Sequence, residues 1–80
     1  MADKKTFEPG AFRLLLKKAI GEHRTQAEFA SETGISTEHI SRMLNAVSAN
    51  RPSKRTLSKI AGHASGGVTY PMLLDACGYN

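Results

Sequence analysis

A group of cations in the second half of this sequence is the feature best suited to bind another molecule. Between residues 42 and 80 the only acid is Asp75, whereas basic and acidic residues balance between 1 and 41, so this segment accounts for the formal charge of +4. Cations without neighbouring acids attract polyanions such as nucleic acid or an anionic membrane surface, and a solvated face is the alternative. The basic residues are Arg42, Arg51, Lys54, Arg55 and Lys59.

The spacing of a catalytic site is not recognisable in the sequence. His23, His39 and His63 are scattered singly, and there is no nucleophile beside a base, no pair of acids and no metal-binding cluster. Cys77 is the only cysteine, which excludes an intramolecular disulfide and a zinc site of several thiolates. We expect Cys77 to be a small buried hydrophobe. An enzyme, a metal, a cofactor and a small-molecule substrate are therefore not expected.

Length and composition predict one globular domain. The 80 residues are 40% hydrophobic and 22% charged, as in an ordinary folded protein. No stretch approaches the roughly 18 apolar residues of a membrane span, and a lone cysteine fits a reducing compartment. We therefore expect a cytoplasmic protein that does not bind membranes.

Helix signals organise the first half of the chain. Residues 1–6 are polar and expected to be flexible, and Pro9 suits the first turn of a helix that Gly21 ends. Thr25 and Glu28 form a capping box for a second helix, which Gly34 should close. The apolar stripe of the first helix is Phe12, Leu15, Leu16, Ala19 and Ile20.

Three further helices are expected, and no strand-like alternation is present. Ser36 should cap a third helix that buries Ile40, Met43 and Leu44 and stops near Asn45. Residues 46–52 are expected to form a loop, and Ser53 should cap a fourth helix that ends before Gly66 and Gly67. A last helix covers residues 71–77, with Thr69 as its cap. The sequence thus predicts an all-α domain of five helices over residues 7–80.

The second and third helices form a recognisable motif. Two short helices joined by a tight, glycine-containing turn are typical of a helix-turn-helix. The stretch TQAEFASETGISTEHISRMLN, residues 25–45, resembles the lambda-repressor-like, or Cro/CI-type, helix-turn-helix proteins, often called the XRE family. Gln26, Ala30, Gly34 and Ile40 occupy places typical of this family, and the resemblance extends from about residue 12 to 79.

The resemblance implies that the chain binds double-stranded DNA, with the third helix, about 36–45, in the major groove. By carry-over, the base-reading residues are Thr37, Glu38, Ser41 and Arg42. The candidate phosphate-binding residues are Gln26 and Asn45, at matching family positions, and Arg51, Lys54 and Arg55, which follow the recognition helix. His39 could also touch a phosphate, although an exposed surface histidine is the more common case.

Arg42 and Glu38 need separate interpretation. A guanidinium can donate two hydrogen bonds to guanine O6 and N7, so Arg42 is expected to discriminate most sharply; a surface arginine paired only with Glu38 is the alternative. Glu38 either accepts a hydrogen bond from a cytosine amino group or orients Arg42 through an i,i+4 pair. The second role is preferred.

A transcriptional regulator, expected to be a repressor, is the function that this resemblance implies. Such regulators are common in bacteria, phages and mobile elements, and an antitoxin that represses its own operon is a variant. A homodimer formed through the last helix and Tyr79 is also suggested. A protein-interaction module on the same fold is the competing function. The absence of acids from residues 42–59 and the polar face of the third helix favour DNA.

Overall fold

The computed structural model describes residues 7–45 and 51–79, and within them it contains five α-helices and no strand. The helices are α1 (Pro9–Ile20), α2 (Gln26–Thr33), α3 (Thr37–Leu44), α4 (Lys54–Gly62) and α5 (Tyr70–Ala76). The expected all-α, five-helix fold is confirmed. The N-terminal segment 1–6, expected to be flexible, and residues 46–50 of the expected loop lie outside the described residues.

Hydroxyl side chains begin four of the five helices, where the sequence predicted them. In the capping box, the Glu28 amide donates to Thr25 Oγ1 at 3.1 Å and the Thr25 amide donates to Glu28 Oε1 at 2.8 Å. Ser36, Ser53 and Thr69 each accept a hydrogen bond from the amide three residues further on. These bonds satisfy amides that have no partner within the helix. α5 begins one residue earlier than the sequence predicted.

The turn between α2 and α3 has the left-handed residue that the sequence predicted. Gly34 has φ of 77° and ψ of 12°, and its amide donates to Ala30 O at 2.8 Å. The buried Thr33 supports the turn, because its hydroxyl donates to Phe29 O at 2.8 Å and accepts from the Ile35 amide at 3.3 Å. The direction of α3 relative to α2 is therefore fixed by bonds within the motif.

All five helices contribute to one core. The apolar stripe predicted for α1 is buried except for Leu15, which is only partly buried. Leu44 was also predicted to be buried and is only partly so, because it lines an open cleft at the end of α3. The largest fully buried side chains are Phe12, Leu16, Phe29, Ile40, Leu57, Ile60, Leu73 and Cys77.

Arg24, in the connection between α1 and α2, ties separate helices together. Its Nε donates to Ile20 O at 2.9 Å, and its Nη2 donates to Ala19 O at 2.7 Å, both at the end of α1. The same Nη2 lies 2.9 Å from His63 O, at the end of α4. A cation is electrostatically favourable at the carbonyl end of a helix. Arg24 therefore fixes the start of α2 against two other helices.

Candidate nucleic-acid interface

The outer face of α3 carries the base-reading residues predicted from the sequence. Thr37, Glu38 and Arg42 are exposed and Ser41 is half-buried, while the opposite side of the helix is packed into the core. With side chains an α-helix is about 10–12 Å across, and α3, with eight residues, is about 12 Å long. The major groove of B-DNA is about 12 Å wide and admits an α-helix. α3 therefore presents a short polar ridge of suitable size for a groove.

Arg42 and Glu38 form the i,i+4 pair that the sequence predicted. Arg42 Nη2 lies 3.1 Å from Glu38 Oε2, and the two side chains are 63% and 77% exposed. An exposed helical pair of this kind is worth only about 0.3–0.5 kcal/mol. Arg42 could therefore leave its partner for a base edge at little cost. The pairing is compatible with both interpretations, and base reading by these residues stays a prediction.

Gln26 and Asn45, predicted from family positions to bind phosphate, line one cleft. Gln26 is the first residue of α2, and Asn45 follows the last residue of α3, where its Nδ2 lies 3.4 Å from Ser41 Oγ. Both side chains are exposed. They lie at the rim of a cleft of about 300 Å³ between α1, α2 and α3, which we call the interhelical cleft. Its described lining residues are Arg13, Lys17, Ile20, Gly21, Arg24, Gln26, Leu44 and Asn45.

Lys54 and Arg55 occupy the first turn of α4. Both are exposed, and this turn contains no acidic residue. Cations are electrostatically disfavoured at a helix N-terminus, where the helix dipole is already positive. Two cations at this end produce a positive region that an anionic partner would stabilise.

Arg51 has a structural environment that the sequence did not predict. Its Nη1 donates to Gly78 O at 3.0 Å and to Cys77 O at 3.3 Å, at the end of α5. Its guanidinium lies 4.1 Å from the centroid of the Tyr79 ring. Arg51 therefore caps α5, and phosphate binding by Arg51 stays a prediction beside this role.

Tyr79, suggested by the sequence as part of a dimer contact, is engaged within the chain. Its hydroxyl donates to Pro52 O at 2.7 Å, and the side chain is half-buried. Lys54 Nζ lies 5.4 Å from its ring centroid, on a ring that Arg51 also contacts. Tyr79 thus fastens the end of α5 to the segment before α4.

Cys77 lies in the core and is not exposed at this surface. Burial raises the pKa of the Cys77 thiol to about 11, an effect that the charge of Arg51 partly offsets, so the group is a neutral thiol at pH 7. Among the described residues no three His, Cys, Asp or Glu side chains come together as a metal site. Within the same ranges no helix has the length and apolarity required to cross a membrane.

Comparison with protein families identifies this arrangement. The family model described as Helix-turn-helix matches residues 16–63, which is more than half of the chain and contains α2, α3 and α4. The chain belongs to this helix-turn-helix family, of the XRE or lambda-repressor type, whose members are DNA-binding regulatory domains. No curated protein and no solved structure gives a match.

Proposed function

We propose that this protein is a sequence-specific, double-stranded DNA-binding transcriptional regulator that acts as a repressor. The exposed polar face of α3, on a helix held rigidly to α2, carries the proposal. In helix-turn-helix proteins the equivalent helix lies in the major groove. Repression is the simplest outcome, because occupancy of a promoter is sufficient. A cytoplasmic location and a bacterial or phage origin accompany this proposal.

Base reading is assigned to α3. Arg42 is proposed to donate to guanine O6 and N7, a contact worth about 1–3 kcal/mol of discrimination. Glu38 orients the guanidinium of the unbound protein through the observed pair, which is weak enough for Arg42 to exchange it for a base edge. Thr37 and Ser41, on the same face, complete the set with hydroxyl groups that can bond to either partner of a base pair.

Phosphate binding is assigned to both sides of α3. Gln26 and Asn45 are proposed to bind the DNA backbone at the interhelical cleft, and Lys54 and Arg55 bind it from the start of α4. Arg51 is also a proposed phosphate ligand, although its bonds to α5 make it the weakest member of the set. Each neutralised phosphate adds about 0.9 to the slope of log affinity against log salt.

A homodimer on a two-fold symmetric operator is the proposed assembly. One α3 reads only a half-site, and two copies would read half-sites one helical turn apart. The exposed large apolar side chains of the described residues are Leu14 on α1 and Met72 on α5, and Met72 supports α5 as the contact. Since Tyr79 is used within the chain, it is a less suitable dimer residue than Met72.

Selection from a pool of random duplexes at near-physiological salt tests the function. An enriched inverted repeat with half-sites about 10 base pairs apart would support a dimeric, specific regulator. Retention without enrichment, lost on adding salt, would contradict specific binding and favour the protein-interaction module instead.

Single substitutions then test the assignments. Arg42→Ala should relax the preference at one base pair, whereas Lys54→Ala should weaken binding to all sequences alike and lower the salt slope. Lys59→Ala is the matched control, because Lys59 is an exposed cation at the other end of α4. An Arg42→Ala protein that loses affinity equally for enriched and random duplexes would contradict the base-reading role.

A further inference from the structure

Two of the cations that line the interhelical cleft, Arg13 and Lys17, lie outside both the helix-turn-helix motif at 25–45 and the basic segment at 42–59. Arg13 and Lys17 lie on α1, and the structure places both in the lining of the cleft, together with Gln26 and Asn45. They are spaced i,i+4, which places their Cβ atoms about 5–6 Å apart on one side of the helix. Three helices therefore direct polar or basic side chains to one cleft.

The charge of Arg13 and Lys17 has no partner among the described residues. Both side chains are exposed, and neither takes part in an ion pair within residues 7–45 and 51–79. No acidic residue is among the described residues that line the cleft. Like charges at i,i+4 destabilise a helix slightly, while Lys17 also lies in the last turn of α1, where a cation is favourable.

The third cation of the cleft differs from these two. The Arg24 guanidinium bonds to the carbonyls at the ends of α1 and α4 and pairs with Glu32, so its charge is already engaged. Arg24 lies at the back of the cleft, while Arg13 and Lys17 form no ion pair with another described residue. Next to them are Ile20 and Leu44, which give the cleft an apolar part that favours a charged hydrogen bond at the rim.

We propose that Arg13 and Lys17 bind a backbone phosphate of the DNA in this cleft, which makes α1 a third DNA-contacting element. The proposal rests on the proposed function. The cleft reaches Asn45 at the end of α3, so a duplex that receives the face of α3 brings its backbone towards the same opening. A phosphate diester has the charge and the several acceptor oxygens that a guanidinium and an ammonium can share.

A salt titration of the purified chain tests this inference. Binding to a duplex taken from the selection is measured by fluorescence anisotropy between 50 and 300 mM salt, for wild type and for an Arg13→Gln/Lys17→Gln double variant. One lost phosphate contact lowers the salt slope by about 0.9 and the affinity at 0.1 M salt about eightfold. Two separate phosphates give about twice the change in slope. The order of base preference should be unchanged.

Two control variants distinguish a bound phosphate from a general effect of charge or folding. Lys18→Gln removes a neighbouring cation of α1 that does not line the interhelical cleft but an adjoining groove, which Lys17 also borders, and it should leave the slope at the wild-type value. Arg13→Lys/Lys17→Arg keeps both charges and should restore most of the slope. Thermal melts of every variant, followed by circular dichroism, exclude unfolding as the cause of a lower slope.

The outcomes separate this inference from the proposed function. If wild type binds duplexes with a steep salt slope and the double variant keeps that slope, the inference is wrong and the function stands. If wild type binds no duplex at all, the function itself fails. A fall in slope equal to that of Lys18→Gln would also overturn the inference, since it would reflect net charge alone.

Free phosphate is the other source of the same chemistry. Amide chemical shifts of the cleft residues are followed while inorganic phosphate or a duplex is added at equal phosphate concentration. A DNA-backbone site predicts shifts with the duplex at concentrations where inorganic phosphate has no effect. Equal shifts with inorganic phosphate would overturn the assignment to DNA and indicate a site for small anions.

Discussion

Replacing Arg24 with methionine should destabilise the domain strongly, although Arg24 is not among the proposed DNA ligands. Methionine keeps most of the apolar length but removes a guanidinium whose Nε and Nη2 donate to Ile20 O, Ala19 O, His63 O and Ser65 Oγ. The Arg24 side chain is only 18% exposed. The variant therefore leaves several acceptors at two helix ends without their donor.

The size of the expected loss in the free energy of unfolding follows from these bonds. A hydrogen bond to a charged group is worth about 1.5–3 kcal/mol, but water can reach carbonyls at helix ends and replace part of the loss. The guanidinium also lies 4.9 Å from the Phe29 ring centroid, a contact worth about 0.5–1 kcal/mol. We expect Arg24→Met to lower the free energy of unfolding by about 2–4 kcal/mol. A domain of this size has only about 4–12 kcal/mol in total.

Urea and thermal unfolding followed by circular dichroism measure this loss. Each kcal/mol corresponds to roughly 4–8 °C in Tm for a small domain, so the expected fall in Tm exceeds about 8 °C. Glu32→Gln is the matched control, because it breaks only the ion pair of Arg24 with a 44% exposed partner and should cost less than about 1 kcal/mol. Equal losses in the two variants, or a loss below 1 kcal/mol for Arg24→Met, would refute the assignment of stability to the backbone carbonyls.

Three further predictions concern the end of α5 and the turn before it. Arg51→Ala should lower the free energy of unfolding by about 1–3 kcal/mol, because the α5 carbonyls lose their donor and Tyr79 loses a stacked cation. Gly66→Ala should cost about 1–3 kcal/mol, since its φ is +67° and the new Cβ would lie 2.7 Å from Lys18 Cγ and 3.2 Å from Lys18 O. Burial raises the pKa of the Cys77 thiol to about 11 from an ordinary value of 9.0, so its contribution to stability is complete below pH 9 and is lost as the pH rises to 11. That contribution amounts to no more than about 3 kcal/mol, seen as a fall in Tm.

Each of the three has its own check by denaturant or thermal unfolding. Tyr79→Phe keeps the ring under Arg51 and should cost only about 1 kcal/mol, the value of its bond to Pro52 O, so a larger loss than for Arg51→Ala would contradict the capping role. Gly62→Ala has open space at its Cβ and should be neutral or stabilising; a loss equal to that of Gly66→Ala would refute the steric argument. Cys77→Ala should be less sensitive to pH between 9 and 11 than wild type, and parallel pH profiles would contradict the thiol's role.

The parts of the fold that could be predicted are those whose causes lie close together in sequence. The Thr25–Glu28 capping box and the left-handed Gly34 depend on bonds between residues three or four positions apart, so the sequence alone shows them. The partner of Arg24 at His63 is 39 residues away, and that of Arg51 at Gly78 is 27 residues away. No local pattern distinguishes these arginines from exposed cations, which is why their capping roles were missed.

Charge counted along the chain locates only part of the candidate interface, because a sum of charges does not show which of them are already paired. The segment 1–41 is neutral in sum, but three of its acids are used locally: Glu28 in a cap, Glu32 with Arg24 and Glu38 with Arg42. Within residues 7–45 and 51–79, two cations of this half, Arg13 and Lys17, take part in no ion pair, and both line the interhelical cleft. Conversely, one cation of the basic segment is bonded to α5. The positive surface therefore depends on which charges are paired in three dimensions, and it extends over both halves of the chain.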